Sequence, residues 1–202
     1  MSATRDKVAP QGMPPIPGLP FQGIVAINAV PSGAIVMNFV AKTERLLLRP
    51  IAPIDWVVFR DYSLSDRAKL SMGTDNVGDA WRSFAYLIGH QQLKGFAPQA
   101  IVLRHGEGQT IGVAGPHFPP DWPEPELGWQ IWDGSFEGKG YASEAVLAAR
   151  RWSKETFGWR RMASYIREDN ARSIRLAERL GCSRDETAER RPDGSPVWRH
   201  PE

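Results

Sequence analysis

Glu137-Gly-Lys-Gly-Tyr-Ala142, continuing as Ser143-Glu-Ala-Val-Leu-Ala-Ala149, is the stretch on which this sequence turns. Two glycines one residue apart let the backbone approach a ligand with no Cβ in the way. Ala142, Ala145, Val146, Ala149 and Trp152 then recur at helical spacing, and Gly158 stands where a helix C-cap is expected. A helix start offers unpaired N–H groups and the positive end of its dipole, so loop and helix together make a cradle for a pyrophosphate. Two better-known phosphate loops do not fit. A P-loop needs four residues between its first glycine and the Gly-Lys pair, then Ser or Thr; Gly134 leaves three, and Gly140 follows Lys139. A dinucleotide fingerprint needs a third glycine where Ser143 stands. A bare GxG also suits a plain strand-to-helix connection, so its surroundings must decide.

Upstream, Glu126-Leu-Gly-Trp-Gln-Ile-Trp132 alternates, with Leu127, Trp129 and Ile131 on one face of a strand. Before it, Ala100–Arg104 and Thr110–Gly115 read as a hairpin turning at His105-Gly-Glu-Gly. Thr43 to Pro50 reads as an opening strand, Pro53 begins a helix, and Val77 to Leu93 carries Trp81, Phe84, Ala85 and Ile88 at helical spacing. Downstream, Arg161–Ile166 reads as a strand. Asn170 is an N-cap for a helix carrying Ile174, Ala177 and Leu180 and closed by Gly181, and the tail fits a hairpin turning at Pro192-Asp-Gly-Ser. Strands, then strand–helix–strand–helix–strand, give an α/β fold with a mixed sheet.

The 202 residues are 42% hydrophobic and 24% charged, the profile of one globular domain. Residues 1–38 are rich in Pro and Gly without a sustained period and read as a flexible extension ahead of a domain over 39–202; Met37 could be the authentic start. Five prolines between Pro10 and Pro20 argue against a signal peptide, and no apolar run is long enough for a membrane span. Cys182, the only cysteine, excludes an internal disulfide, and the histidines have no metal-ligand spacing. These features point to a reducing cytoplasm and no metal. A net charge of +2 does not by itself imply nucleic acid, although 12 Lys/Arg stand against 7 Asp/Glu between Arg150 and Arg191. That basic third fits solvated helix faces or a field attracting a polyanion. It lacks any nucleic-acid recognition motif.

The order of these pieces resembles the GNAT acetyltransferases, and within them the RimJ/RimL branch that acetylates ribosomal-protein alanines. The resemblance is carried by Glu126-Leu-Gly-Trp129, by Gly138-Lys-Gly-Tyr-Ala142 with Glu144 and Ala145, by Asn170 with Ser173-Ile-Arg-Leu176 and Glu178-Arg-Leu-Gly181, and by Thr43–Pro50. It covers about residues 40 to 190. It implies the GNAT acyl-CoA N-acyltransferase fold, a mostly antiparallel central sheet flanked by helices, with acetyl-CoA as co-substrate and an amine as acceptor. Amides around Lys139 to Ser143 (with Gly138, Gly140, Tyr141 and Ala142) would hold the pyrophosphate, and Trp129, Gln130 and Ile131 the pantetheine arm. The family has Gln or Arg where Glu137 stands. Glu137 is expected to turn to solvent, with Lys139 or Arg172 supplying compensating charge.

Acetyl transfer needs a neutral amine, a place for the oxyanion and a hydrogen bond for the departing thiolate. Counted from Asn170, the slot of the superfamily's common tyrosine holds Ala177, so Ser173 and Asn170, about one helical turn apart, are expected at the sulfur. Glu126 is the candidate base, with His117 a weaker one; a carboxylate exposed at a strand end is the plain alternative. Trp122 and Asp121 are expected in the acceptor pocket, where an acidic, aromatic loop would favour a cationic amine. The acceptor is a small amine or a protein N-terminus, and the chain leaves room for a homodimer. A non-catalytic acyl-CoA-binding module remains the alternative, because the tyrosine is missing.

Overall fold

The computed structural model describes residues 39–202 except 72, 106 and 107. They belong to a compact unit running from Met37 to Glu202. The expected extension over 1–38, and Met37 as a start, lie outside the described residues.

Eight strands form one sheet in the order β1-β2-β3-β4-β5-β6-β8-β7. They are β1 (Ala41–Lys42), β2 (Leu46–Arg49), β3 (Gln99–Leu103), β4 (Thr110–His117), β5 (Glu126–Ile131), β6 (Ala163–Tyr165), β7 (Ser183–Asp185) and β8 (Val197–Arg199). Every pairing is antiparallel except β5 with β6. Four α-helices occur among the described residues: α1 (Trp56–Ser63), α2 (Val77–Lys94), α3 (Tyr141–Phe157) and α4 (Ala171–Arg179). This is the mixed sheet that the residue pattern led us to expect, mostly antiparallel and flanked by helices as the resemblance implied.

The apolar stripes decide which helix covers which part of the sheet. Ala145, Val146 and Ala149 of α3 pack with Leu176 and Ala177 of α4 onto Leu48, Ile101 and Ala114. Phe59, Tyr62, Phe84 and Leu87 of α1 and α2 form a second cluster with Val113 and Trp132. Capping follows the sequence. Asn76 Oδ1 accepts the Asp79 N–H at 2.8 Å, Asn170 Oδ1 accepts the Ser173 N–H at 3.2 Å, and Gly158 closes α3 in the left-handed region.

Thr43 to Pro50 is not one strand. The Thr43 N–H donates to the Leu46 carbonyl at 2.9 Å, turning the chain so that β1 folds back on β2. The turn is fastened to α3. The Glu144 carboxylate accepts from the Thr43 hydroxyl, the Arg45 N–H at 3.1 Å and Arg45 Nε at 2.7 Å. Near the other end of β2, buried Arg49 grips buried Asp55 with two hydrogen bonds of 2.7 Å, fixing the entry to α1.

The β5–β6 junction positions the site. β5 pairs with β4 along its whole length, from Glu126 to Ile131, but with β6 only at Glu126–Ala163. Just past that pair, side chains replace the ladder. The Tyr165 N–H donates to Glu126 Oε1 at 3.3 Å, and the Ser164 hydroxyl donates to the Leu127 carbonyl at 2.6 Å. Beyond these bridges no β5–β6 pair continues, and a cleft lies there.

Candidate active site

Gly140 is the N-cap of α3 with φ +81°, a conformation that disfavours any side chain. Tyr141, Ala142 and Ser143 follow it, their N–H groups belonging to the unpaired first turn, and all three line a cavity of about 470 Å³. Gly138 and Gly140 line it too, with Arg67, Arg172, Arg175 and Arg179. Donors, a dipole end and four guanidiniums suit a polyanion.

Lys139 is placed differently from the expectation. Its residue is exposed and outside the cavity lining, its carbonyl accepts from Arg45 Nη1 at 2.9 Å, and its ammonium lies over the Phe136 ring. Glu137 does not turn to solvent. Arg67 Nη2 reaches it at 2.8 Å and Arg172 Nη1 at 3.0 Å, so it spaces two guanidiniums along the cavity. Compensation by Arg172 is therefore present. Arg67 carried no sequence signal, since it follows α1 and meets residue 137 only through the fold.

The cleft edge of β5 follows from strand alternation. The Trp132 N–H donates to the Ile111 carbonyl at 2.8 Å, so 132, 130 and 128 bond toward β4 and Leu127, Trp129 and Ile131 toward the cleft. Arg67 takes the Ile131 carbonyl at 2.9 Å, leaving the Trp129 N–H and C=O facing the opening. Gln130 turns its backbone to β4, and its side chain accepts from the Trp132 indole at 3.1 Å. Its place in the lining is thus not a backbone contact.

A second cavity, of about 320 Å³, lies on the other side of Trp129, Gln130, Asn170 and Ser173, which line both. Glu126 lines it, 9% exposed. Burial pushes its carboxyl up to about 7, against the opposing pull of Arg191 and the Tyr165 N–H. His117 lies beside it, Nδ1 to Oε2 being 4.0 Å, with Nε2 hydrogen-bonded to the Tyr86 hydroxyl at 3.0 Å. Burial, with His90 and Arg191 nearby, pulls His117 down to about 3, so this imidazole is neutral at physiological pH.

Trp122 lines this cavity, edge-on to His117 and Tyr165. Asp121 does not: it is exposed and absent from the lining, although it adjoins the half-buried Trp122 in the chain. Glu124 is likewise occupied, by Arg199 and Arg161. The acidic loop expected at the acceptor mouth is therefore reduced to Glu126. Arg191 and Tyr165, unremarked in the sequence, complete the wall.

Asn170 and Ser173 line both cavities. The Asn170 carbonyl oxygen is used in capping, which frees its amide group for a ligand. Ala177 is fully buried in the core. Cys182 is buried, its sulfur 3.4 Å from His200 Nδ1, and burial pushes the thiol up to about 11. No cluster of potential metal ligands occurs among the described residues.

Residues 45–183 match the acetyltransferase (GNAT) domain family. An acetyltransferase from Agrobacterium tumefaciens is 34% identical with a TM-score of 0.74, over 84% of this chain and 96% of that one. A GNAT-family acetyltransferase from Bordetella pertussis is 24% identical (TM-score 0.64; 78% and 95% covered). RimL, a ribosomal L7/L12 α-N-protein acetyltransferase, is 20% identical with a TM-score of 0.62, over 85% and 97%. The chain belongs to the GNAT acetyltransferase family.

Proposed function

We propose that this protein moves the acetyl group of acetyl-CoA directly to a primary amine, with Glu126 accepting the amine's proton and Ser173 serving the departing sulfur. The observation that carries the reading is the wall shared by the two cavities. Trp129, Asn170 and Ser173 face an anion cradle on one side and a buried carboxylate on the other. Acetyl-CoA supplies the activated acetyl group. The cradle at Gly138, Gly140, Tyr141, Ala142 and Ser143 binds its pyrophosphate, and the Trp129 backbone aligns its arm along β5. A carboxyl titrating at about 7 is half ionised at neutral pH and can take a proton from an ammonium. The Ser173 hydroxyl donates to the sulfur, with the free Asn170 amide beside it.

Ala177 in the tyrosine slot, with Asn170 and Ser173, supports assignment to the RimJ/RimL-like branch. A buried free thiol at Cys182 fits a cytoplasmic setting. Ser173→Ala tests the donor. Turnover should fall roughly 10- to 1000-fold, with acetyl-CoA affinity by calorimetry little changed, since a group serving the thiolate acts mainly in the transition state. Unchanged turnover would remove Ser173 from the chemistry. Acetyl-CoA binding without turnover on any amine would favour the non-catalytic binding module.

A further inference from the structure

The acceptor cavity holds two hydrogen-bond donors that the protein leaves unused. Tyr165 Oη and Arg191 Nε are buried without a partner, and both residues line the cavity. Arg191 is fixed in place. Its guanidinium lies over the Trp122 ring at 4.7 Å and the Tyr165 ring at 5.2 Å, and its Nη2 bonds Asp193 at 2.5 Å and Ser195 at 3.3 Å. A guanidinium held between two rings and tethered at one nitrogen is preorganised, and an unmatched buried donor costs free energy until something accepts from it. Asp193 shares the lining and pairs with Arg191 through Nη2 alone, which leaves Nε without an acceptor. Arg167, the other cation of the lining, is already bound to Asp169 at 2.7 Å.

The two donors sit close to the base. Arg191 is the leading charge acting on Glu126, and Glu126 is in turn one of the charges that raise the Tyr165 phenol. One compact cavity therefore combines a carboxylate that would receive an ammonium with donors that would receive an anion. Leu87, Val113, Trp122 and Trp129 supply apolar surface between them.

Resting on the acetyl-transfer reading, we infer that the acceptor is a small amino acid-like molecule, whose amine faces Glu126 and whose carboxylate is held by Arg191 and the Tyr165 hydroxyl. The cavity of about 320 Å³ suits a compact molecule, and apolar side chains fit its walls. This departs from the purely cationic acceptor that the loop sequence suggested, because Asp121 and Glu124 do not face the cavity.

Matched acceptors test the inference with the full-length protein and saturating acetyl-CoA. Leucine, methionine and phenylalanine are compared with their amides, with the corresponding amines lacking the carboxyl, and with tetrapeptides beginning in the same residues. The acids should exceed amides and amines roughly 10- to 100-fold in kcat/KM, the range of a lost hydrogen bond to a charged group. Tyr165→Phe and Arg191→Lys should shrink that ratio by raising KM for the acids alone. The wild-type comparison does not depend on either variant folding. Equal use of acids and amides, or preference for the tetrapeptides, overturns the inference while leaving acetyl transfer standing. Acetylation of none of these molecules overturns the inference, and absence of acetyl-CoA binding by calorimetry as well overturns the acetyl-transfer reading with it.

Discussion

Replacing Glu126 by glutamine tests both the base and what its burial costs the fold. The substitution keeps shape and an acceptor for the Tyr165 N–H but removes the titration. In the wild type the carboxyl titrates at about 7, against 4.5 ordinarily. Activity that needs the ionised base should rise with pH and bend to a plateau near pH 7. In the variant the amine must lose its proton unaided. With an acceptor amine of pKa about 9, only ~1% is neutral at pH 7, so a loss of about 100-fold is expected, at the lower end of general-base contributions. The bend should vanish, the rate continuing to climb towards the amine's own pKa.

Stability should move in the opposite direction. A pKa raised by folding contributes stability that is fully present below the unfolded value and is lost as pH rises through the folded one. The shift from 4.5 to about 7 corresponds to about 3 kcal/mol, of which about 2–3 kcal/mol falls between pH 5 and 8. Glutamine has no such term. Relative to the wild type, its melting temperature should gain roughly 5–10 °C between pH 5 and pH 8. Initial rates across pH 5.5–9 and melting curves at pH 5 and 8 suffice. A variant that keeps the bend near pH 7 and melts in parallel with the wild type would refute the reasoning.

Gly140→Val should abolish acetyl-CoA binding by calorimetry while leaving a folded domain. A side chain at φ +81° is strained, and its Cβ would come within 3.4 Å of Arg45 Nη2, disturbing the cradle rather than the core; retained affinity would put the pyrophosphate elsewhere. Cys182→Ala should retain substantial turnover with no acetylated enzyme by mass spectrometry, because a buried thiol titrating at about 11 is not an activated nucleophile. Asp55→Ala should lower stability by about 3–5 kcal/mol in chemical denaturation by leaving Arg49 buried and unpaired; a loss below 1 kcal/mol would contradict that account.

Local chemistry in the sequence determined the elements and the glycine loop that opens α3. Glycines at 138 and 140, the period of α3, the alternation of β5 and the cap at Asn170 are short-range signals that the chain cannot satisfy in many ways. Readings in which position along the chain stood in for position in space needed the fold to place them. Asp121 adjoins Trp122 in sequence but is exposed and outside the cavity lining, Lys139 sits in the loop yet outside its lining, and Thr43–Pro50 begins in the turn that folds β2 back on β1. Arg67, Arg191 and Tyr165 are ordinary residues in the sequence. Arg191 and Tyr165 acquire a role only because the sheet brings β5, β6 and the turn before β8 together, and Arg67 because the fold sets the turn after α1 against Glu137, 70 residues away. Glu126 shows the division most clearly: alternation placed it on a strand, but only the tertiary burial of its carboxyl raises it to about 7, because desolvation depends on everything packed around a group and not on its neighbours in the chain.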